Sequence, residues 1–336
     1  MDLSRRNLLK SGLSLGVGYG GMISAGLAEA SGQNEHDIET IAFGSCNHTD
    51  KSQHFWANIL NDAPELFLSI GDNIYSDHAT TKERQQIYSD LANDEYYKIF
   101  RNLVRNLGTW DDHDYASDNA DCTFKDKEES QELFLNFFSE NNKLLTADQS
   151  GIYGHQTMGS SGKKISLYLL DCRYFMKKKG PGKTILGDQQ WQWFEAGLLN
   201  NEADLNIIVS PISISSQITG FGLEGWRQYR EERDHLYELI DNLQTPTVFL
   251  TGDRHYADIT RWELPSGMPI YEFMSSGLTH STHFTLPNPY SLAKTGKKNY
   301  GILKIYWTAA GPIIDMDIKS ADYGIVLGHA RASFTS

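Results

Sequence analysis

Positive charge is in short supply in this 336-residue sequence, which has 30 lysines and arginines against 43 aspartates and glutamates. The resulting net charge of −13 argues against nucleic acid or an anionic membrane surface as the main partner. An anionic substrate would therefore have to find its counter-charge in bound metal ions or in a few arginines.

Cysteine is also scarce, and long apolar runs are missing from most of the chain. The cysteines are Cys46, Cys122 and Cys172, and their odd number excludes complete pairing in an oxidising compartment. After residue 30, no stretch approaches the ~20 apolar residues that a membrane-spanning helix needs, which excludes a stable span from the mature chain. The sequence contains no internal repeat and no Pro- or Ser-rich linker, so we predict that residues 31–336 form one domain.

The first thirty residues have the features of a segment that is removed after export. Paired arginines, Arg5 and Arg6, precede a weakly apolar, glycine-rich run, and Ala28-Glu29-Ala30 then forms a small-x-small cleavage pattern. This pattern resembles a twin-arginine signal peptide, which directs export of folded proteins. It predicts residues 1–30 as the signal, the twin-arginine machinery as a partner, and a periplasmic or extracellular location. An ordinary signal peptide or an uncleaved anchor are the alternatives.

The rest of the sequence is rich enough in apolar residues for a large core, with 40% hydrophobic and 12% aromatic residues. Nearly continuous apolar runs alternate with segments of helical periodicity, which is typical of buried sheets covered by helices. The predicted strands are Ile38–Phe43, Leu66–Ile70, Ile165–Leu170, Asn206–Val209, Thr247–Leu250, Ile270–Met274, Gly301–Trp307 and Ile313–Ile318. The predicted helices are His54–Leu60, Tyr96–Leu107, Ser130–Phe138, Asp188–Leu199 and Arg227–Leu243. The last two strands are predicted to form a hairpin. Together, the predicted strands and helices indicate a mixed α/β sandwich.

Polar residues suited to metal binding directly follow apolar segments at four places in the sequence. Because ligands of open α/β sheets bind beyond the carboxyl ends of strands, we expect these four segments to meet in one cleft. Acidic groups that close repel each other unless cations neutralise them, so the pattern predicts bound metal. The four segments are Gly44-Ser45-Cys46, Gly71-Asp72-Asn73-Ile74-Tyr75, Trp110-Asp111-Asp112-His113-Asp114 and Gly252-Asp253-Arg254-His255.

These motifs occur in the same order as in a known family, together with Leu170-Asp171-Cys172-Arg173, Leu186-Gly187-Asp188-Gln189-Gln190-Trp191 and Ser275-Ser276-Gly277-Leu278-Thr279. Over nearly all of the mature chain, the sequence resembles the alkaline phosphatase D (PhoD-like) family, a branch of the calcineurin-like metallophosphoesterases. The resemblance implies a four-layer αββα sandwich of two mixed sheets flanked by helices.

The resemblance also implies roles for individual residues. Asp72 would bridge two metal ions, and Cys46 and Tyr75 would bind a ferric ion, usually accompanied by calcium. A thiolate and a phenolate favour such an ion over magnesium, whereas oxygen ligands suit calcium. The wider superfamily implies that Asp112, Asp253 and His255 complete the metal set and that His113 is catalytic.

Three features depart from the family pattern. The segment 207–211 contains no histidine, although the wider superfamily often has a metal-binding one there. The first predicted core strand follows the signal almost directly, whereas larger members carry an N-terminal β-domain. Cys172 stands where members commonly have threonine, which indicates a structural role, with a disulfide to Cys122 as an open alternative.

The predicted reaction is hydrolysis of a phosphoric ester by a metal-activated water. His113 would stabilise the phosphoryl oxygens or protonate the leaving group, with hydrogen bonding to another site residue as its alternative role. Arg173 would clamp the phosphate through its guanidinium, unless it pairs with a neighbouring aspartate. Arg254 is a weaker candidate clamp, and His280, His283 and His48 are candidates for the substrate rim.

Substrates are expected among small phosphate monoesters or diesters, including phospholipid head groups. A catalytically silent metal-binding protein of the same fold is the alternative function. A third possibility, a metallohydrolase acting on lactones or peptides, is disfavoured because the sequence lacks a His-Glu-x-x-His motif.

Overall fold

The computed structural model describes residues 37–138, 144–145, 148–215 and 224–334. Thirteen strands occur in these segments: β1 Thr40–Gly44, β2 Leu66–Ile70, β3 Arg105–Thr109, β4 Gly154–Met158, β5 Ile165–Leu169, β6 Leu205–Ser210, β7 Thr247–Thr251, β8 Ala257–Glu263, β9 Pro269–Ser275, β10 Ser291–Thr295, β11 Asn299–Thr308, β12 Gly311–Ser320 and β13 Val326–Ser333. The α-helices described are α1 Phe55–Asn61, α2 Thr81–Asn93, α3 Glu95–Leu103, α4 Asp112–Tyr115, α5 Lys127–Phe138, α6 Gly187–Leu199 and α7 Arg230–Leu243.

The strands form two mixed sheets. The first has the order β13-β12-β11-β1-β2-β3, in which β1, β2 and β3 are parallel neighbours and β11 pairs antiparallel with β1. The second has the order β10-β8-β9-β7-β6-β5-β4, with β5, β6, β7 and β9 parallel. Antiparallel strands flank the parallel strands on both sides of the second sheet, but on only one side of the first, whose other edge is the parallel β3.

The two sheets pack face to face, and the period-two alternation of their strands divides the core into layers. Leu66 and Leu68 of β2 join a buried cluster that includes Leu167 of β5 and Val248 of β7. In this layer the rings of Phe43 and Phe273 meet at 4.7 Å between centroids.

The alternate residues of the same strands face outward and are covered by helices. Phe67 of the first sheet packs with Trp56 of α1 and Phe100 of α3. Ile208 of the second sheet belongs to a cluster with Phe194 of α6 and other helix residues. The layers are therefore helix, sheet, sheet and helix, which confirms the αββα sandwich expected from the sequence.

Most predicted elements lie within one or two residues of the observed ones, but three helix boundaries are wrong. The helix predicted as Ser130–Phe138 begins at Lys127. The predicted helix Tyr96–Leu107 ends at Leu103, because Val104 is extended (φ −122°, ψ 131°) and Arg105–Thr109 forms β3. The helix predicted from Arg227 begins at Arg230, after a 3₁₀ turn at Trp226–Gln228. The predicted hairpin is confirmed by the antiparallel register of β11 and β12.

The alternative disulfide between Cys122 and Cys172 is not formed. All three cysteines are free thiols. The Cys172 thiol is buried 3.6 Å from the hydroxyl of Ser210, consistent with a structural role.

The predicted signal peptide at residues 1–30 lies outside the described residues. Within the described part of the chain, no helix has the length and apolar character required to cross a membrane.

Candidate metal centre

The loops that carry the predicted ligands leave neighbouring strands at one end of the sandwich. Those after β1, β2 and β3 come from adjacent parallel strands, and that after β7 comes from the facing sheet. The backbones approach so closely that only glycine fits at position 252, where a Cβ would lie 2.5 Å from Ser45 Oγ and 2.8 Å from the Ile70 carbonyl oxygen. The strand ends of the two sheets thus meet at one place.

Four of the predicted ligands have a left-handed backbone, which non-glycine residues rarely adopt. The φ angles are 62° for Cys46, 49° for Asp72, 76° for Asp253 and 56° for His255. Such conformations cost of order 1–3 kcal/mol each and cluster at functional sites. Their concentration here shows that the strand-to-loop turns place these side chains at an energetic cost.

A first group of donor atoms comes from four of the predicted ligands. Asp72 Oδ2 lies 3.4 Å from Cys46 Sγ and 3.3 Å from the Tyr75 hydroxyl oxygen. The Tyr75 hydroxyl lies 3.2 Å from His255 Nε2. Cys46, Asp72 and His255 can place one ligand atom each within 4.8 Å of one another.

A second group shares Asp72 with the first. Asp72, Asp112 and His113 also offer ligand atoms that all lie within 4.8 Å of one another. Oδ1 of Asp72 is buried and has no hydrogen-bond partner. An ionised oxygen without a partner is costly to bury, whereas an oxygen that bridges to a cation is satisfied.

The pKa values of the donors in the first group indicate the same need for a cation. Burial, aided by nearby acidic groups, raises the pKa of the Cys46 thiol to about 11 and raises the pKa values of Asp72 and Tyr75 well above their usual range. These groups become good ligands only when deprotonated, and a bound cation reverses the penalty. The donors present, a thiol, a phenol, carboxylates and imidazoles, therefore fit metal binding.

Asp253 lies beside these groups but outside them, because neither cluster of donor atoms among the described residues includes it. Burial raises the pKa of Asp253 to about 6, and the negative charges of Asp112 and Glu224 add to this effect. Its electrostatic coupling to Asp112 places it near the oxygen-rich side of the site.

His113 is oriented by an aspartate that the sequence did not single out. Its Nδ1 contacts Asp77 at 2.9 Å and 2.8 Å from the two carboxylate oxygens. Asp77 is itself held by the backbone N–H of Asp118. The ring of Tyr75 packs against His113 with 4.3 Å between centroids. Since Nδ1 is engaged, Nε2 is the nitrogen that remains for chemistry.

Arg173 is fully buried and its guanidinium is occupied by protein carboxylates. It contacts Asp111 at 2.5 Å and Glu224 at 2.6 Å, with Asp112 at 3.8 Å. This geometry matches the alternative role from the sequence, in which Arg173 pairs with a neighbouring aspartate. The guanidinium is bound by protein carboxylates. Burial opposes ionisation of Asp112, but the charge of Arg173, the neighbouring His113 and the backbone N–H groups of Asn119 and His113 together outweigh it and lower the pKa of that carboxyl.

A third imidazole enters the centre from the loop after β9, where the sequence suggested only a place on the substrate rim. His280 Nε2 lies 3.3 Å from the Tyr75 hydroxyl and 3.2 Å from His255 Nε2. Burial and the neighbouring His255 lower the pKa of His280 to about 4, and burial also lowers the pKa of His255. Both rings are therefore neutral at physiological pH, the form in which imidazole binds metals.

The remaining candidates lie around this centre. His48 stacks on Tyr75 with 4.7 Å between ring centroids, and its Nδ1 pairs with Asp50 at 2.6 Å. Arg254 is mostly buried and donates to the backbone oxygen of Glu224 at 2.9 Å. The backbone N–H of Thr282 donates to the His255 carbonyl oxygen, which places the segment carrying His283 beside the motif that follows β7.

Comparison with known proteins finds one family model that covers most of the chain. The model of the PhoD-like phosphatase family matches residues 41–301. Alkaline phosphatase D of Bacillus subtilis (strain 168) is 21% identical over 270 residues, which cover 64% of this chain and 46% of that protein. The chain thus spans about half the length of this relative.

Solved structures share the fold at low sequence identity. A structure of PhoD matches with a TM-score of 0.71 and 16% identity, over 90% of this chain and 73% of that chain. Purple acid phosphatase PPD1 from yellow lupin (Lupinus luteus) matches with a TM-score of 0.59 and 11% identity, over 88% and 54%. GAP50, the anchor in the inner membrane complex of Plasmodium, matches with a TM-score of 0.56 and 12% identity, over 90% of each chain. These likenesses show the metallophosphatase-like fold.

Proposed function

Because the chain belongs to the PhoD-like phosphatase family, we propose that it is an exported, metal-dependent hydrolase of phosphoric esters. The observation that carries the proposal is the sharing of Asp72 between two groups of potential ligands. A carboxylate with two oxygens can hold two cations side by side, which is the arrangement of two-metal hydrolases.

We assign ferric iron to the group containing Cys46 and Tyr75, and calcium to the side with more oxygen ligands. Thiolate and phenolate ligands suit the first ion, and the carboxylates of Asp112 and Asp253 suit the second. Asp72 would contact both ions and His255 would contact the iron. Bound cations would lower the pKa of the attacking water and neutralise charge on the phosphoryl oxygens.

The chain's own residues supply proton transfer and positioning. His113, with Nδ1 fixed by Asp77, presents Nε2 to the leaving oxygen and donates the proton that the departing alkoxide needs. The buried Arg173 positions other site residues rather than binding the phosphate. Its ion pairs keep Asp111 in place and help to keep Asp112 ionised as a ligand.

Small phosphate monoesters, diesters or phospholipid head groups are the proposed substrates, and nucleic acid is not expected as a partner, given the net charge of −13. Export through the twin-arginine machinery to the periplasm or beyond rests on Arg5 and Arg6 and on the cleavage pattern at residues 28–30. Replacing both arginines by lysine should leave the protein inside the cell, as fractionation and immunoblotting would show.

The activity is tested on the purified mature chain with chromogenic phosphate monoesters and diesters. We expect hydrolysis of at least one class, its loss in a chelator, and its return on adding iron and calcium. Metal analysis of the same sample distinguishes the rival function, because a catalytically silent protein would retain the metals and hydrolyse neither class. Hydrolysis that persists at full rate after verified metal removal would overturn the proposal.

A further inference from the structure

The loop after β9 brings His280 into direct range of two proposed metal ligands. Its Nε2 is 3.3 Å from the Tyr75 hydroxyl oxygen and 3.2 Å from His255 Nε2, while Tyr75 and His255 are themselves 3.2 Å apart. We propose that His280 is a further ligand of the ion assigned to Cys46, Asp72, Tyr75 and His255. This inference rests on the proposed function and adds to it a second imidazole at the iron position.

The first support is the triangle that these three atoms form. Ligand atoms about 2.1 Å from one first-row metal ion lie roughly 3.0–3.4 Å from each other, in octahedral or tetrahedral geometry. The three sides of the triangle, 3.2, 3.2 and 3.3 Å, fall within that range. Asp72 Oδ2 continues the same spacing at 3.3 Å from the Tyr75 hydroxyl. The three atoms of the triangle are therefore already spaced as ligands of one ion, whereas His280 lies outside the group of Cys46, Asp72 and His255 whose ligand atoms are all within 4.8 Å of one another.

The second support is the tautomer that the surroundings impose on His280. The Thr279 hydroxyl donates to the Cys46 carbonyl oxygen at 3.0 Å, so its oxygen is left to accept hydrogen bonds. That oxygen accepts the backbone N–H of His48 at 2.8 Å, and it lies 3.3 Å from Nδ1 of His280, where its second lone pair accepts a hydrogen bond from an Nδ1–H. Nε2 then has a free lone pair facing Tyr75 and His255. Metal-binding histidines are commonly fixed in this way by a partner on the other ring nitrogen.

The third support is the rigid link between the loop that carries His280 and the loop that carries Cys46. The N–H groups of Leu278 and Thr279 donate to the carbonyl oxygens of Ser45 and Cys46 at 3.2 and 3.4 Å. The Ser276 hydroxyl lies 3.2 Å from Cys46 Sγ and accepts the backbone N–H of His255 at 2.8 Å. His280 is thus held in place by the same contacts that position two proposed ligands, as a preorganised site requires.

His48 provides a matched control within the same cluster. Its ring lies 4.7 Å from that of Tyr75 and 6.1 Å from that of His280, but its Nδ1 is paired with the exposed Asp50. Substituting His48 removes an imidazole from the neighbourhood without removing an atom of the triangle.

The test compares wild type, His280→Ala and His48→Ala after loading each metal-free protein with ferric iron alone. X-ray absorption at the iron edge should count two imidazoles in wild type and His48→Ala, and one in His280→Ala. Iron should also pass to a competing chelator at least about 100-fold more readily from His280→Ala, since losing a group outside the ligand set costs about 10–100-fold. If His280→Ala does not fold, His280→Gln keeps the volume and lacks the imidazole, and the same readouts apply.

An unchanged imidazole count and unchanged iron retention in the folded His280 variant would overturn the inference and leave His280 as a packing residue. That outcome is separate from failure of the proposed function. In the latter case, wild type itself would retain no iron or would hydrolyse esters without it. Equal losses in His280→Ala and His48→Ala would likewise count against a specific ligand role.

Discussion

Both carboxylate oxygens of Asp77 lie within 2.9 Å of Nδ1 of His113, although 36 positions separate the two residues. The contact holds the imidazole so that Nε2 is available for proton transfer. We expect His113→Asn to lower kcat by about 10²–10⁴, the usual contribution of a positioned general acid. Asp77→Asn should act in the same direction with a smaller effect.

Leaving groups of different basicity distinguish this role from a structural one. If His113 protonates the departing oxygen, the loss should be larger for an alkyl phosphate than for a nitrophenyl phosphate, whose anion leaves without help. Asp77→Asn should add little to His113→Asn in the double variant, because Asp77 acts through the imidazole. An equal loss with both leaving groups would contradict proton donation.

Arg173 is expected to stabilise the fold rather than to bind substrate. Replacing it by methionine would leave Asp111 buried without a counter-charge and Glu224 paired only with Lys178, at a cost of about 3–5 kcal/mol in the free energy of unfolding. The matched control is Arg331→Met, which breaks an exposed pair with Asp315 and should change stability far less. Urea unfolding measures both. A stable Arg173→Met protein with only a raised KM would instead favour a phosphate clamp.

The buried carboxyl of Asp253 gives a pH dependence with a definite sign. Its pKa of about 6 in the fold exceeds the usual value of about 3.9, so the metal-free native state binds more protons than the unfolded state between these values. Stability is therefore lost as the pH rises through this window. Relative to Asp253→Asn, the metal-free wild type should lose thermal stability between pH ~4 and pH ~6. A constant difference between the two would contradict this assignment.

Cys46 should contribute directly to the spectrum of the iron-loaded protein. Substitution by serine removes the thiolate, so the visible charge-transfer band should shift or fade and iron should be held less tightly. Cys172→Ser is the matched control, because that thiol is equally buried but lies beside Ser210. Unchanged colour and iron content in Cys46→Ser would remove Cys46 from the ligand set.

The central strands could be predicted from the sequence because they are continuous apolar runs, such as Leu66–Ile70 and Ile165–Leu169, whose burial is complete. Strands at the sheet edges were missed. In β10, Ser291–Thr295, every residue is at least partly exposed, and Ser and Lys interrupt the pattern. Edge strands need little apolar surface, so their sequences resemble loops.

Part of the candidate site could likewise be predicted from the sequence, and part of it could not. Cys46, Asp72 and Asp112 could be proposed from the sequence because each directly follows a strand, which is a local signal. The pairing of Asp77 with His113 and the approach of His280 to Tyr75, 205 positions away, depend on tertiary packing. The ion pairs of Arg173 with Asp111 and Glu224 likewise join three separate segments, so the sequence could suggest a pairing with an aspartate but could not identify these partners.

The most direct test of the account is the metal content of Asp72→Asn, because Asp72 is the residue that the two donor groups share. Wild type and the surface control Asp90→Asn, loaded with iron and calcium and then dialysed, should each retain at least two cations per chain by mass spectrometry. Asp72→Asn should lose cations from both positions together, and hydrolysis with them. Retention of both cations and of activity by Asp72→Asn would contradict a shared, metal-bridging carboxylate.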